Sequence, residues 1–402
     1  MKYIVILGDG MADWKIDKLG GKTPLQVAKH PAIDALAKKG RLGTFRTVDE
    51  DLPPGSEVAN LSVLGYDPRK YNQGRGVLEA ASMGVELEPD NVAMRANLIC
   101  IEDGKIKNHS AGHISNQESH PLIEFLCERL CDDETKLYPG VSYRHLLTLK
   151  SGSPALDLAP PHDYIGKPFR EILPKATSKE GEKTAKKLER LILKSQELLS
   201  EHPINRRRIS DGKDPANSLW FWSAGKKPAM PTYQEQFGVR GAVISAVDLI
   251  QGLGKYAGME IIKVEGATGL YDTNYEGKAD AALKALNEYD FVFVHVEASD
   301  EAGHEGNVEL KVKTIEYLDS RLVKRIVEGV ERRGIEATIA VLPDHITPCA
   351  TRGHVHGEVP VLIYDPRKEP DGVDRYDEDS AKQGALGLLT GDMFIKTLLG
   401  RG

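Results

Sequence analysis

Four short β-rich apolar runs, at residues 3–7, 289–296, 337–342 and 359–364, stand beside helical patterns at 23–39 and 308–333. Runs of this length read as buried strands, and strands interleaved with helices predict an α/β layer fold with a mostly parallel sheet. The 23–39 pattern has Pro24 near its first turn and Gly40 just past its end, the usual punctuation of a helix. The 308–333 pattern is a long amphipathic helix rich in Lys and Glu.

From about 86 to 222 the chain is more polar and carries irregular, proline-bearing stretches such as 151–168 and a charged helical run at 178–201. This predicts an inserted domain, with 1–85 and 223–402 forming the core domain and 86–222 the insert. A length of 402 residues favours such a division, because it exceeds what one hydrophobic core comfortably holds. The net charge of −7 argues against a nucleic-acid partner, which a basic excess would serve. No apolar run approaches the ~18–20 residues of a membrane span. The N-terminal run is too short for a secretory signal. The four cysteines fit neither a zinc ribbon nor a disulfide scaffold. A cytoplasmic protein with reduced thiols is expected; the oligomeric state is not legible.

In open α/β sheets ligands bind beyond the carboxyl ends of the strands. Asp9 follows the first run, Asp300 and His304 the second, and Asp344 with His345 the third, while His354 precedes the fourth. Asp and His suit Zn²⁺, Mn²⁺ and similar divalent ions. On a helical turn Asp300 and His304, four residues apart, share one face about 5–6 Å apart. The Pro53-Pro54-Gly55-Ser56-Glu57 loop breaks before a helix, with Ser56 expected as its N-cap. A serine hydroxyl is a weak nucleophile that a neighbouring cation activates, and a helix N-terminus favours a phosphoserine's charge.

Several motifs then occur in order: Gly8-Asp9-Gly10, Leu19 to Leu25, Pro54-Gly-Ser-Glu57, Leu64 to Pro68, Gly74-Arg-Gly76, His202-Pro-Ile-Asn205, Gly266-Ala-Thr-Gly269, Asp300 to His304, Asp344-His345 and His354 before Val359-Pro360. With them the chain resembles the cofactor-independent phosphoglycerate mutases, archaeal-type branch, within the alkaline phosphatase superfamily. The resemblance spans nearly the whole chain. It implies an alkaline-phosphatase-like, mostly parallel sheet with helices on both faces plus a smaller inserted α+β domain. It also implies two divalent ions, Mn or Zn with Mg or Co as alternatives, and no 2,3-bisphosphoglycerate. One ion falls to Asp300, His304 and His354, the other to Asp9, Asp344 and His345, with Ser56 as the phosphorylated nucleophile and a ligand. His295 reads as a structural strand residue and His356 as lying outside the ligand set.

The implied reaction is the glycolytic interconversion of 3-phosphoglycerate and 2-phosphoglycerate through phosphoserine, with an insert that excludes water. Arginines suit the substrate's carboxylate and phosphate. The candidates are Arg206, Arg207, Arg208, Arg144 and Arg75, with Lys226, His109 and His113. The stretch Asn108 to His113 departs from the arginine-rich run of archaeal mutases, and Asn217 to Trp222 resembles a side branch proposed to act as a homoserine kinase. A small-molecule kinase using ATP on the same two-metal site is therefore the alternative. No P-loop motif is present.

Overall fold

The computed structural model describes residues 1–401. By its contacts the chain divides into two compact units, one made of residues 1–72 together with 229 onward, the other of Gln73–Pro228. The expected boundaries at 85/86 and 222/223 fall inside the second unit. The helix Arg75–Ser82 explains the earlier start. A side chain at its Gly76 would collide with the backbone of Met94, so this helix lies directly on the second unit's sheet.

The first unit is built on eight strands, in the order Glu260–Ile261, Gly241–Ile244, Phe291–Val296, Lys2–Gly8, Ala337–Leu342, Val359–Tyr364, Arg41–Arg46 and Gly387–Thr390. Val359–Tyr364 runs antiparallel to both neighbours and every other pairing is parallel. Successive strand residues face opposite sides of a sheet. Ile4 and Ile6 on one side and Val5 and Leu7 on the other are all fully buried, so both faces are covered. The helices Tyr275–Ala285 and Lys324–Arg332 contribute to the core around Ile4 and Ile6. On the opposite face Gly254, in the helix Asp248–Tyr256, packs on Val243.

One expected helix is broken, and the other runs through with a change in its hydrogen bonding. The 23–39 pattern becomes Pro24–Val27 and Pro31–Ala37, because Pro31 has no N–H to continue the first helix and starts the second. The 308–333 pattern forms Val308–Tyr317 and Lys324–Arg332 around a wide π-helical stretch, Leu318–Val323. Within that stretch Asp319 Oδ1 accepts from Ile33 N–H at 2.8 Å, which ties it to the start of Pro31–Ala37.

The second unit is a sheet around the long strand Val92–Glu102. Antiparallel partners are Lys105–Asn108, Arg144–Leu149 and Ser218–Lys226, with Thr135–Val141 beyond Arg144–Leu149. The amphipathic helix Glu182–Ser200 buries Leu188, Leu191, Ile192 and Leu199 in its core. That core also holds His145, whose Nδ1 accepts from Gly140 N–H at 3.0 Å. Burial, and then the nearby His120, push its pKa down to about 3. The unfolded chain takes up this proton near the ordinary imidazole value of ~6.5 and the folded chain does not. Folding stability therefore falls by about 1.4 kcal/mol per pH unit from this group as pH drops below that value. In an NMR titration His145 is expected to stay neutral from pH 7 to pH 5; a midpoint near 6.5 would contradict the burial argument.

Candidate active site

Three neighbouring parallel strands end together. Asp9 follows Lys2–Gly8, Asp344 and His345 follow Ala337–Leu342, and Asp300 and His304 lie on the helix Ala298–Glu305 just after Phe291–Val296. Parallel pairing delivers their side chains to one sheet edge. His354 arrives from the loop before Val359–Tyr364. Gly10 is left-handed at φ 56°, and a side chain there would run into Asp300 Oδ1 and Thr347 Oγ1. Behind the edge, buried Lys311 ties together the loops that follow Lys2–Gly8 and Ala337–Leu342. Its Nζ donates to Asp13 Oδ2 at 2.9 Å, Ala12 O at 3.1 Å and Thr347 O at 2.6 Å.

The side chains form two groups. Possible ligand atoms of Asp300, His304 and His354 lie within 4.8 Å of one another, and so do those of Asp9, Asp344 and His345. In the first group His304 Nδ1 donates to Arg352 O at 2.9 Å, so Nε2 is the atom that can face an ion once its proton is displaced. That atom is 3.0 Å from His354 Nε2 and 3.0 Å from Asp300 Oδ2. In the second group Thr347 Oγ1 donates to Asp300 Oδ1 at 2.5 Å and so accepts from His345 Nδ1 at 3.1 Å. The lone pair of His345 is thereby on Nε2, 3.4 Å from Asp9 Oδ1 and 3.3 Å from Asp344 Oδ2. Thr347 thus orients a ligand in each group, a role that nothing local in the sequence signals.

Ser56 joins the second group, its Oγ 3.1 Å from His345 Nε2. It is the first residue of the helix Ser56–Val63, not the N-cap; Gly55 takes that place in extended backbone. The hydroxyl is therefore not spent on capping. Asn60 Nδ2, one turn along, donates to Ser56 O at 3.0 Å and to Asp344 Oδ2 at 2.8 Å, which couples the helix to the carboxylate. Asp344 Oδ1 accepts from Gly10 N–H at 3.1 Å and His345 N–H at 2.9 Å.

The electrostatics call for cations. Burial, then the charges of Asp344, Glu297 and Asp300, drive the Asp9 carboxyl well above its ordinary range. Asp9 Oδ1 is buried without a hydrogen-bond partner. Burial works to raise Asp300 as well, but His304 and His354 hold it well below the usual carboxylate range. Asp300 in turn lifts His304 to about 9. Buried carboxylates facing imidazole lone pairs, with an orphaned oxygen among them, are the donor chemistry that a divalent ion satisfies. Both groups fit one.

A third group, Asp9, His295 and Glu297, adjoins them. His295 Nε2 is 2.8 Å from Asp9 Oδ2 and its Nδ1 is 3.1 Å from Ser245 Oγ. The sequence reading placed His295 as structural and passed over Glu297; the strand does hold His295, but its ring meets a metal-group carboxylate. Burial, then Asp300, push Glu297 up to about 8. Lys278 Nζ donates to His295 O at 2.9 Å. His356 lies outside both ligand groups, its Nε2 on Leu52 O at 2.8 Å.

The candidate substrate contacts all belong to the second unit and fare unequally. Arg208 is buried and engaged: it donates to Glu118 Oε2 and Ala111 O, each at 2.6 Å, and to Asp214 O at 2.9 Å. It braces the turn Ala111–Gly112–His113, three successive left-handed residues at φ 47°, 66° and 53°. Those contacts engage its guanidinium within the second unit. Arg206 is exposed and paired with Glu201. Arg207 and Arg144 are exposed, while Lys226 and Arg75 are half-buried, Arg75 at the start of its helix. His109 packs edge-on against Tyr143 and His162 with ring centroids 5.7 and 6.1 Å away, and His113 lies 6.5 Å from it. Burial, then His162 and His113, lower the pKa of His109, so at neutral pH it offers a hydrogen bond and no charge. No helix among the described residues is long and apolar enough to cross a membrane.

Comparison with known proteins gives a consistent result. The family model for 2,3-bisphosphoglycerate-independent phosphoglycerate mutase matches residues 37–205. A protein of that name from Methanosarcina barkeri is 50% identical over 401 residues, covering 99% of each chain. A probable one from Geobacter sulfurreducens is 49% identical over 406 residues, covering 100% of each. Among solved structures, a cofactor-independent phosphoglycerate mutase from Thermoplasma acidophilum matches at 30% identity and a TM-score of 0.71 over 100% of both chains. A Pyrococcus horikoshii protein matches at 33% identity and a TM-score of 0.85, covering 100% of this chain and 98% of its own. The homoserine kinase expectation finds no support among these names.

Proposed function

The chain belongs to the 2,3-bisphosphoglycerate-independent phosphoglycerate mutase family, and from that premise we propose that it interconverts 3-phosphoglycerate and 2-phosphoglycerate with Ser56 as the transient phosphate carrier. One observation carries the assignment of Ser56: its Oγ stands 3.1 Å from His345 Nε2, inside the Asp9–Asp344–His345 group and at a helix N-terminus. Asp9, Asp344, His345 and the serine oxygen would hold one divalent ion, and Asp300, His304 and His354 the other. Mn²⁺ or Zn²⁺ suits these donors best. Two such ions, when bound, supply the Lewis-acid charge that activates a hydroxyl and neutralises a transferring phosphoryl group.

The chain's own groups do the rest. Ser56 Oγ gives up its proton and attacks phosphorus in line as the bond from phosphorus to the 3-oxygen of the substrate breaks, and the freed 3-oxygen takes up a proton. Glycerate reorients, its 2-hydroxyl gives up its proton and attacks the phosphoserine phosphorus as the bond to Ser56 Oγ breaks, and Ser56 takes up a proton. Between the two steps the backbone N–H groups at the start of Ser56–Val63 stabilise the phosphoserine dianion. Asn60 and Gly10 hold Asp344, and Thr347 holds His345 and Asp300, so the groups need not rearrange as charge develops. Arg75, Arg144, Arg206, Arg207, Arg208, Lys226, His109 and His113 are our candidates for binding the substrate's anionic groups, those without a described carboxylate partner first. A cytoplasmic setting, where the phosphoglycerates are found, belongs to the same reading.

The test is direct. Protein supplied with a divalent ion and 3-phosphoglycerate, without ATP or 2,3-bisphosphoglycerate, is expected to form 2-phosphoglycerate, followed by phosphorus NMR. Phosphate release to water with no isomer formed would make it a phosphatase. ATP-dependent phosphorylation of homoserine, with no isomer formed, would make it a kinase.

A further inference from the structure

Cys127 and Cys131 play no part in the site above. The helix Asn116–Leu130 ends at Cys131, whose N–H donates to Cys127 O at 2.9 Å. Residues four apart on a helix lie on one side of it, so the last turn presents both thiols together. At Cys131 the backbone has already turned extended, at φ −81° and ψ 149°. The two sulfur atoms are 2.7 Å apart, a short step from the ~2.05 Å of a covalent S–S bond. Both residues are half-buried at the edge of the second unit's core, beside Phe125 and Leu130. Cys100 and Cys349 are buried.

We propose that Cys127 and Cys131 form a reversible dithiol–disulfide site that reacts with low-molecular-weight disulfides. In the proposed order Cys127 reacts first; burial, and then the sulfur of Cys127, push the Cys131 thiol up to about 12. Cys127 gives its proton to solvent and its thiolate attacks one sulfur of the oxidant, forming a mixed disulfide and expelling one thiolate, which takes up a proton. Cys131 then attacks Cys127 Sγ, the mixed disulfide breaks, and the second small thiolate leaves with the Cys131 proton. Two protein thiols are oxidised to one disulfide, and one small disulfide is reduced to two thiols.

The full-length protein would be equilibrated anaerobically in glutathione redox buffers, quenched in acid, alkylated and mapped by mass spectrometry. The expected product is a Cys127–Cys131 link, with Cys100 and Cys349 still alkylated. Its equilibrium constant should exceed that of the same chain unfolded in denaturant by at least tenfold, a potential about 30 mV more negative. In Cys131→Ser a glutathione adduct should accumulate on Cys127. A gain below tenfold, a link through Cys100 or Cys349, or an adduct that persists on Cys127 in the unsubstituted chain would overturn the proposal. Absence of the Cys127 adduct in Cys131→Ser would overturn it too.

Discussion

Ser56→Ala is expected to lower turnover of 3-phosphoglycerate by about 10⁴-fold or more while leaving the fold intact. Removing the attacking atom of a covalent mechanism removes the route itself, and losses on the order of 10⁴–10⁶ are usual for such nucleophiles. The fold should tolerate it, because the described hydrogen bond of the Ser56 side chain is to His345 alone and the bond from Asn60 reaches the backbone carbonyl. Alanine also sits well in a helix. Steady-state kinetics beside a thermal melt separates the two effects. Activity within tenfold of the unsubstituted protein would remove Ser56 from the mechanism.

The second large effect concerns the ions. Chelation is expected to cut activity by about 10³-fold or more, and added Mn²⁺ to restore it. The reason is the cluster of buried carboxylates, Asp9, Asp300 and Asp344, whose mutual repulsion has to be neutralised. An ion that binds only the folded chain also raises the melting temperature, so the stripped protein should melt lower. His354→Ala removes the imidazole from one proposed ion group and should raise the Mn²⁺ concentration for half-maximal activity by about 100-fold or more. Thr347→Val keeps every ligand and loses only the hydroxyl between Asp300 and His345; about 10–100-fold is expected there. Full activity after exhaustive chelation would refute the metal assignment.

Five of the six Asp and His positions of the two groups were legible because a parallel sheet sends its strand ends to one edge, so residues just past each strand meet whatever their separation in sequence, and His354 joins them because the antiparallel Val359–Tyr364 starts at that edge. Ser56 was legible as a polar residue opening a helix, although glycine took the capping role. Thr347, Glu297 and His295 were not. Their parts depend on contacts between segments far apart in sequence that no local pattern records. The arginine run shows the converse. Three consecutive residues on a helix point about 100° apart, so Arg208 turns into the core, Arg206 turns out to Glu201, and adjacency in sequence means nothing for a shared ligand. The 23–39 helical pattern failed because Pro31 cannot continue a helix, whereas the 308–333 pattern is helical through to Arg332, with a π-helical stretch at Leu318–Val323 that changes only the hydrogen bonding.

The most direct test is to trap the phosphate. Metal-loaded protein mixed with 3-phosphoglycerate, quenched in acid during turnover and digested, should yield a peptide phosphorylated at Ser56, and the label should pass to 2-phosphoglycerate when the reaction continues. Turnover with no phosphate on Ser56, or with phosphate on another residue, would contradict the account.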